Sequence, residues 1–187
     1  DSLNSGFNLA MRDLEIRGAG EILGEKQSGL IDYVGLSLFS SMINRSIKLL
    51  EGIDETHEEF EVKIGENGFI PETFIPQTEV RLEIYKKFSS VKNTENLNQL
   101  VKEIEDRFGA LPEDIKILVN LTCIRIESSK LLITKIKGDN KKCTLSLSDN
   151  SNLVSKNSSV REISINYPEK IYSKSEFLLN KLKSFSN

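Results

Sequence analysis

Apolar positions along this chain change period several times, and each change marks an expected element. Leu36, Phe39, Met42, Ile43, Ile47 and Leu50 stand three and four residues apart, the spacing of an amphipathic helix, and Gly52 predicts its end. Val80, Ile84 and Phe88, beside Leu82 and Tyr85, repeat that stripe after a loop carrying Pro71 and Pro76, with Thr78 or Gln77 as N-cap and the Thr78 hydroxyl favoured. Leu97, Leu100, Val101, Ile104 and Phe108 form a second such helix, capped by Asn93 or Thr94 and ended by Gly109. Pro112 suits the first turn of a third, from Glu113 to about Leu132, whose apolar residues occupy most of the circumference and predict a central, buried helix.

Beyond that helix the period falls to two. ITKIKG, KCTLSLS with Cys143, Leu145 and Leu147 alternating, and REISINY with Ile163, Ile165 and Tyr167 alternating predict strands of one sheet. Gly138, Asp139 and Asn140 supply turn chemistry between the first two, and the Ser/Asn-rich stretch 148–159 reads as a loop or short helix. A helix over 175–185 closes the chain, and a strand around 59–64 precedes the three helices. The expected class is α+β: a helical and loop N-terminal segment and connecting helix, then a compact α/β domain with a small mixed or antiparallel sheet packed on helices.

Charge refines the division. The stretch EGIDETHEEFEVKIGE holds seven acidic residues and one lysine, an exposed acidic linker that sets the preferred boundary near residue 59. Overall the formal charge is -3, but residues 130–187 carry 11 basic and 5 acidic residues, against 14 and 23 in residues 1–129. A basic half can signal nucleic acid, because phosphate contacts are mostly electrostatic. Its lysines are scattered among Ser and Asn, with no arginine cluster and few aromatics, so in sequence they read as a solvated face or a meeting place for an acidic protein surface.

With 38% hydrophobic and 28% charged residues over 187 positions, the composition is that of a globular protein able to bury a core. No apolar run is long enough to cross a bilayer, and the opening DSLNSGFNLA has no secretory pattern, so the expectation is a cytoplasmic protein without membrane contact. Cys123 and Cys143 lack CxxC spacing and the single His57 stands among glutamates; a zinc site and a disulfide framework are not expected, and Cys123 reads as a buried small hydrophobe.

Five of the 11 glycines fall in the first 29 residues, within GFNLAMRDLEIRGAGEILGEKQSG, where a helical stretch near 7–13 should give way to a shaped loop. A phosphate-cradling reading fails on spacing: GxxxxGK[ST] needs a lysine directly after its second glycine, whereas Gly18, Gly20 and Gly24 precede Lys26 and Gln27 at other distances. GxGxxG fails too, since the third glycine comes one residue late. Spacing alone therefore supports only a tight turn with Arg12 and Arg17 as surface charges.

The same run is similar, nearly residue for residue, to the translocation motif shared by the transcription-repair coupling factors (Mfd) and RecG, superfamily 2 motors that pump double-stranded DNA. Downstream, FIPETFIPQTEVRLEIYKKF, with Arg81, Leu82, Tyr85 and Lys86, and the DRFGALP run from Asp106 to Pro112 resemble the start of the terminal domain of the coupling factors, which RecG lacks. Residues 1–30 then correspond to the end of the translocation motif, 31–58 to a connecting helix and acidic linker, and 59–187 to the terminal TRCF domain. The resemblance implies that Arg17 couples ATP-driven closure to a step on DNA, received by Asp13 or Glu15, and that Gln27 reaches the duplex. Gly18, Gly20 and Gly24 would permit the backbone path between them, and Arg17 suits a multi-donor network across a moving interface.

The resemblance further implies an intact protein that uses ATP and magnesium, works on double-stranded DNA and stalled RNA polymerase, and recruits UvrA. Its terminal domain packs on the UvrB-like module of the same chain and restrains the motor. The ATP-binding motifs of the family would precede Asp1, so no cofactor and no catalytic residue is expected in this stretch. A stand-alone nucleic-acid-binding module using the basic segment, and a fragment of a RecG-like helicase, are the competing readings.

Overall fold

The structure, a computed structural model, describes residues 60–153 and 161–186, and all of its elements lie there. They are β1 (Glu61–Lys63), α1 (Thr78–Ser90), α2 (Thr94–Phe108), α3 (Glu113–Lys130), β2 (Ile133–Gly138), β3 (Lys142–Leu147), β4 (Glu162–Asn166) and α4 (Lys174–Ser186). Four helices and one mixed four-stranded sheet give the α+β class that the apolar periods predict. The helix expected over 36–52 and the Ser/Asn-rich stretch beyond residue 153 lie outside the described residues. The described residues divide into two compact units, 69–89 in one and 60–68 with 90–153 and 161–186 in the other.

In the smaller unit, residues 69–77 form the approach to α1. The carbonyl of Gln77 accepts the Arg81 N–H at 3.1 Å, so Gln77 occupies the N-cap position rather than the favoured Thr78. The Thr78 hydroxyl instead lies 3.5 Å from the Arg81 guanidinium. Arg81, Ile84, Tyr85 and Phe88 are buried on α1. Pro71 closes a turn of its own, its carbonyl accepting the amides of Phe74 and Ile75 at 3.0 Å.

In the larger unit the sheet order is β1-β2-β3-β4, with β1 parallel to β2 and the other pairs antiparallel. Alternation along the strands separates two faces. Ile136 and Leu145 are cross-strand partners, as are Cys143 and Ile165, and all four are buried on the inner face. Glu61, Lys63, Lys135, Lys137, Lys142, Thr144, Ser146, Glu162, Ser164 and Asn166 stand at the alternate positions and form the outward face. Such a half-solvated sheet is what alternating apolar and polar residues specify.

The central helix is α3, which meets α2, α4 and β2. Ile115, Leu118, Cys123, Ile124 and Ile126 are buried on it, as its all-round apolar pattern predicts. Pro112 stands at its N-cap position, just outside the first turn anticipated for it, and makes no side-chain cap. α2 begins on Asn93, whose side chain accepts the Asn96 N–H at 2.8 Å, which decides between Asn93 and Thr94. It ends at Gly109, whose positive φ of 92° glycine adopts without the strain that a Cβ would bring.

Gly68 is required for a different reason. A Cβ there would fall 2.3 Å from the backbone nitrogen of Leu118, so only a glycine lets the chain after β1 lie directly on α3.

Candidate functional site

The residues that the resemblance singles out for coupling, Asp13, Glu15, Arg17, Gly18, Gly20, Gly24 and Gln27, lie outside the described residues, as does His57. What the structure does place is the second block of the resemblance and the basic segment.

Arg81 has no exposed surface, and its Nη1 donates to the carbonyls of Ile75 at 2.8 Å and Pro76 at 3.0 Å. One turn later the buried Tyr85 hydroxyl accepts the amide of Ile70 at 2.7 Å. The spacing of four puts both side chains on one face of α1. Together they hold the chain before the helix at two points, satisfying backbone groups that have no ladder partner. These two members of the pattern around Arg81 therefore shape the 69–77 approach.

The DRFGALP run is likewise architectural. Arg107 pairs with Glu103 one turn back at 3.3 Å and lies 4.9 Å from the Phe108 ring centre, while the Gly109 amide reaches the Glu105 carbonyl at 2.9 Å. The run ends α2 and leads into α3.

A third arrangement was not anticipated. Glu66, just after β1, accepts the Lys174 and Ser175 amides at the start of α4 and the Ser173 hydroxyl. Burial works against its charge, but the hydrogen bonds from Ser175, Lys174 and Ser173 outweigh it and hold the carboxyl below the usual range. A carboxylate at a helix start also meets the positive end of the helix dipole. Ser173 adds its own cap, accepting the Glu176 amide at 3.2 Å. Ser173 three residues before Glu176 is a recognisable N-cap signal in sequence, whereas nothing local points to Glu66.

On the outward sheet face, Glu61 pairs with Lys63 on its own strand and with Lys135 on β2, the latter at 2.8 Å. Lys135 first and then Lys63 lower its carboxyl to about 2. At the other end of that face Lys137 and Lys142 come together with Lys141 of the β2–β3 turn, all exposed. Asp139 in the same turn accepts the amides of Lys141 at 2.6 Å and Lys142 at 2.9 Å. Tyr172, in the connection from β4 to α4, is fully exposed.

Both thiols are buried and unbridged, and burial pushes each one up. Burial likewise pushes the Tyr167 hydroxyl, on the inner face of the sheet, well above the ordinary phenol range. Among the described residues no group of three or more His, Cys, Asp and Glu is placed to hold a metal ion, and no helix is long and apolar enough to cross a membrane.

Comparison with known proteins bears on the same blocks. The family model described as the TRCF domain matches residues 64–158. The transcription-repair-coupling factor of Escherichia coli (strain K12) is 37% identical over 147 residues, which cover 75% of this chain and 13% of that protein. The transcription-repair-coupling factor of Bacillus subtilis (strain 168) is 38% identical over 149 residues, covering 79% of this chain and 13% of that one. This chain thus spans roughly an eighth of these relatives' length. A crystal structure of the C-terminal domain of a transcription-repair coupling factor superposes with a TM-score of 0.57 over 71% of this chain and 99% of its own, at 19% identity, a likeness of fold.

Proposed function

The chain belongs to the TRCF domain family of the transcription-repair coupling factors, and on that footing we propose that residues 59–187 restrain a DNA motor by intramolecular contact. The motor is an ATP-dependent double-stranded DNA translocase that displaces stalled RNA polymerase and recruits nucleotide excision repair through UvrA. The contact is with the UvrB-like module of the same protein. Residues 1–30 belong to the motor, with Arg17, Asp13 or Glu15, and Gln27 coupling ATP-driven closure to movement on DNA, and residues 31–58 connect the two. ATP and magnesium act in the motor, and the protein works in the cytoplasm.

One observation carries the restraint reading. The strongly held polar side chains of the described residues, Arg81, Tyr85 and Glu66, are turned onto the protein's own backbone. Arg81 and Tyr85 hold the 69–77 approach within one unit and Glu66 holds the start of α4 within the other, which leaves the exposed side chains of each for recognition, as a docking domain requires.

The test is removal of residues 59–187 from the whole protein. Basal ATP hydrolysis or DNA binding should rise several-fold, and unchanged values of both would sink the restraint. Arg17→Ala or Gln27→Ala in the whole protein should leave ATP hydrolysis in place and abolish polymerase displacement; normal displacement would remove these residues from the coupling role.

A further inference from the structure

In sequence the lysines of the basic segment are separated by serines, asparagines and apolar residues, and no cluster is visible. Folding gathers them. Lys137 on β2 faces Lys63 on β1 and Thr144 on β3, Thr144 faces Ser164 on β4, and Lys142 faces Asn166. Neighbouring strands lie about 4.8 Å apart, so these side chains share one small field at the end of the sheet that carries the β2–β3 turn. Lys141 extends it into the turn, and Lys174 reaches the same turn from the start of α4, its ammonium 3.2 Å from the Asn140 side-chain oxygen.

Two carboxylates stand at this end, and both are engaged by backbone amides. Asp139 receives those of Lys141 and Lys142, and Glu66 those of Lys174 and Ser175. Glu61, paired with Lys63 and Lys135, and Glu162, opposite Ser146, stand towards the far end of the face. Among the described residues no acidic side chain forms an ion pair with Lys137, Lys141 or Lys142. The charge of the face is therefore polarised, basic towards the turn.

We propose that Lys137, Lys141 and Lys142, with the Thr144 and Ser164 hydroxyls beside them, form a sequence-independent contact for the phosphate backbone of double-stranded DNA. The outward face carries no large apolar side chain, and lysines are depleted at the centres of protein–protein interfaces, where an apolar anchor is the rule. Interfaces with duplex DNA are more polar and more positive, and lysine and hydroxyl donors serve the phosphates. A single strand would call for an aromatic platform for its bases, and the outward face has none. The contact reads no sequence, because compact ammonium groups on a sheet meet phosphates and not base edges. It is separate from the restraint proposed above and needs only the surface of this domain.

The experiment titrates a fluorescein-labelled 20-base-pair duplex with the 187-residue chain at salt concentrations from 50 to 200 mM. Three phosphate contacts predict a log–log salt slope of about -2.7, a loss of roughly 40-fold across that range. Lys137→Ala with Lys142→Ala should reduce the slope to about -0.9 and weaken binding at least tenfold at the lowest salt. Lys102→Ala, an exposed lysine of α2, should change it less than twofold. Absence of binding at 50 mM overturns the proposal, as does an equal loss in the α2 control. Displacement of the duplex by a polyglutamate peptide at an equal or lower concentration of charge would assign the patch to an acidic protein partner and also overturn it.

Discussion

Arg81 is a charged side chain removed wholly from water, and burial of that kind is tolerated only when hydrogen bonds replace the lost solvent. Its Nη1 serves two carbonyls, whereas its Nε finds no partner, so the site is organised around the approach to α1 and not around the arginine itself. Arg81→Lys keeps the charge but loses the planar fork, and should cost about 2 kcal/mol. Tyr85→Phe leaves the buried Ile70 amide without an acceptor and should cost about 1–2 kcal/mol. Because both side chains hold one segment, 69–77, the double variant should lose less than the sum of the single losses. Urea unfolding of the three variants measures this; strict additivity would mean that the two anchors act independently. The importance of these residue types was legible in the sequence through the family pattern. Their task was not, since a buried arginine and a surface arginine look alike until the carbonyls beneath them are placed.

Among the elements, the helices were legible because a spacing of three and four residues survives any tertiary context that buries one stripe. Ends were less so. Gln77 takes the N-cap position that the Thr78 hydroxyl suggested for its neighbour, and α4 starts at Lys174, one residue before the expected Ser175. The strand expected over 59–64 reduces to Glu61–Lys63, and its parallel pairing with β2 had no signal in so short a run.

That pairing matters for α4. The chain leaving β1 carries Glu66 directly to the start of α4, so an edge strand and the last helix are joined by one carboxylate. The Glu66 carboxyl lies below its ordinary value in the folded state, so its contribution is fully present above about pH 4.5 and declines as pH falls through the folded value. Glu66→Gln should therefore lower stability at pH 7 by about 1–2 kcal/mol and flatten the acid limb of the stability curve below about pH 4.5. Thermal melts across pH 3–7 check this. An acid limb as steep as in the parent chain would assign it to other carboxylates, Glu61 foremost, whose pairs on the sheet face are partly exposed and contribute little.

At the scale of the whole molecule, the candidate functional residues divide by how they are assembled. Those of the translocation motif are adjacent in sequence, so resemblance alone could single them out. The lysines at the end of the sheet come from separate strands and a turn, and only strand register could bring them together. The restraint proposed above needs the larger unit to be folded, and α4 supplies part of that unit's core. Leu178, Leu179 and Leu182 are buried on it, it packs against α3, and the Ser186 hydroxyl reaches Glu127 of α3 at 3.3 Å.

At about 1.5–3 kcal/mol for each buried leucine, losing α4 removes roughly 5–9 kcal/mol, comparable to the whole stability of an ordinary domain. A chain ending at Ser173 should therefore unfold and not merely shed a tail. Its two thiols, buried at Cys123 on α3 and at Cys143 on the inner sheet face, report the outcome. In the full chain both should resist Ellman's reagent, and in the truncated chain both should react at the rate seen in urea. If Cys143 stayed protected while Cys123 reacted, the sheet would stand without its last helix, and α4 would be a separable element able to release the restraint by itself.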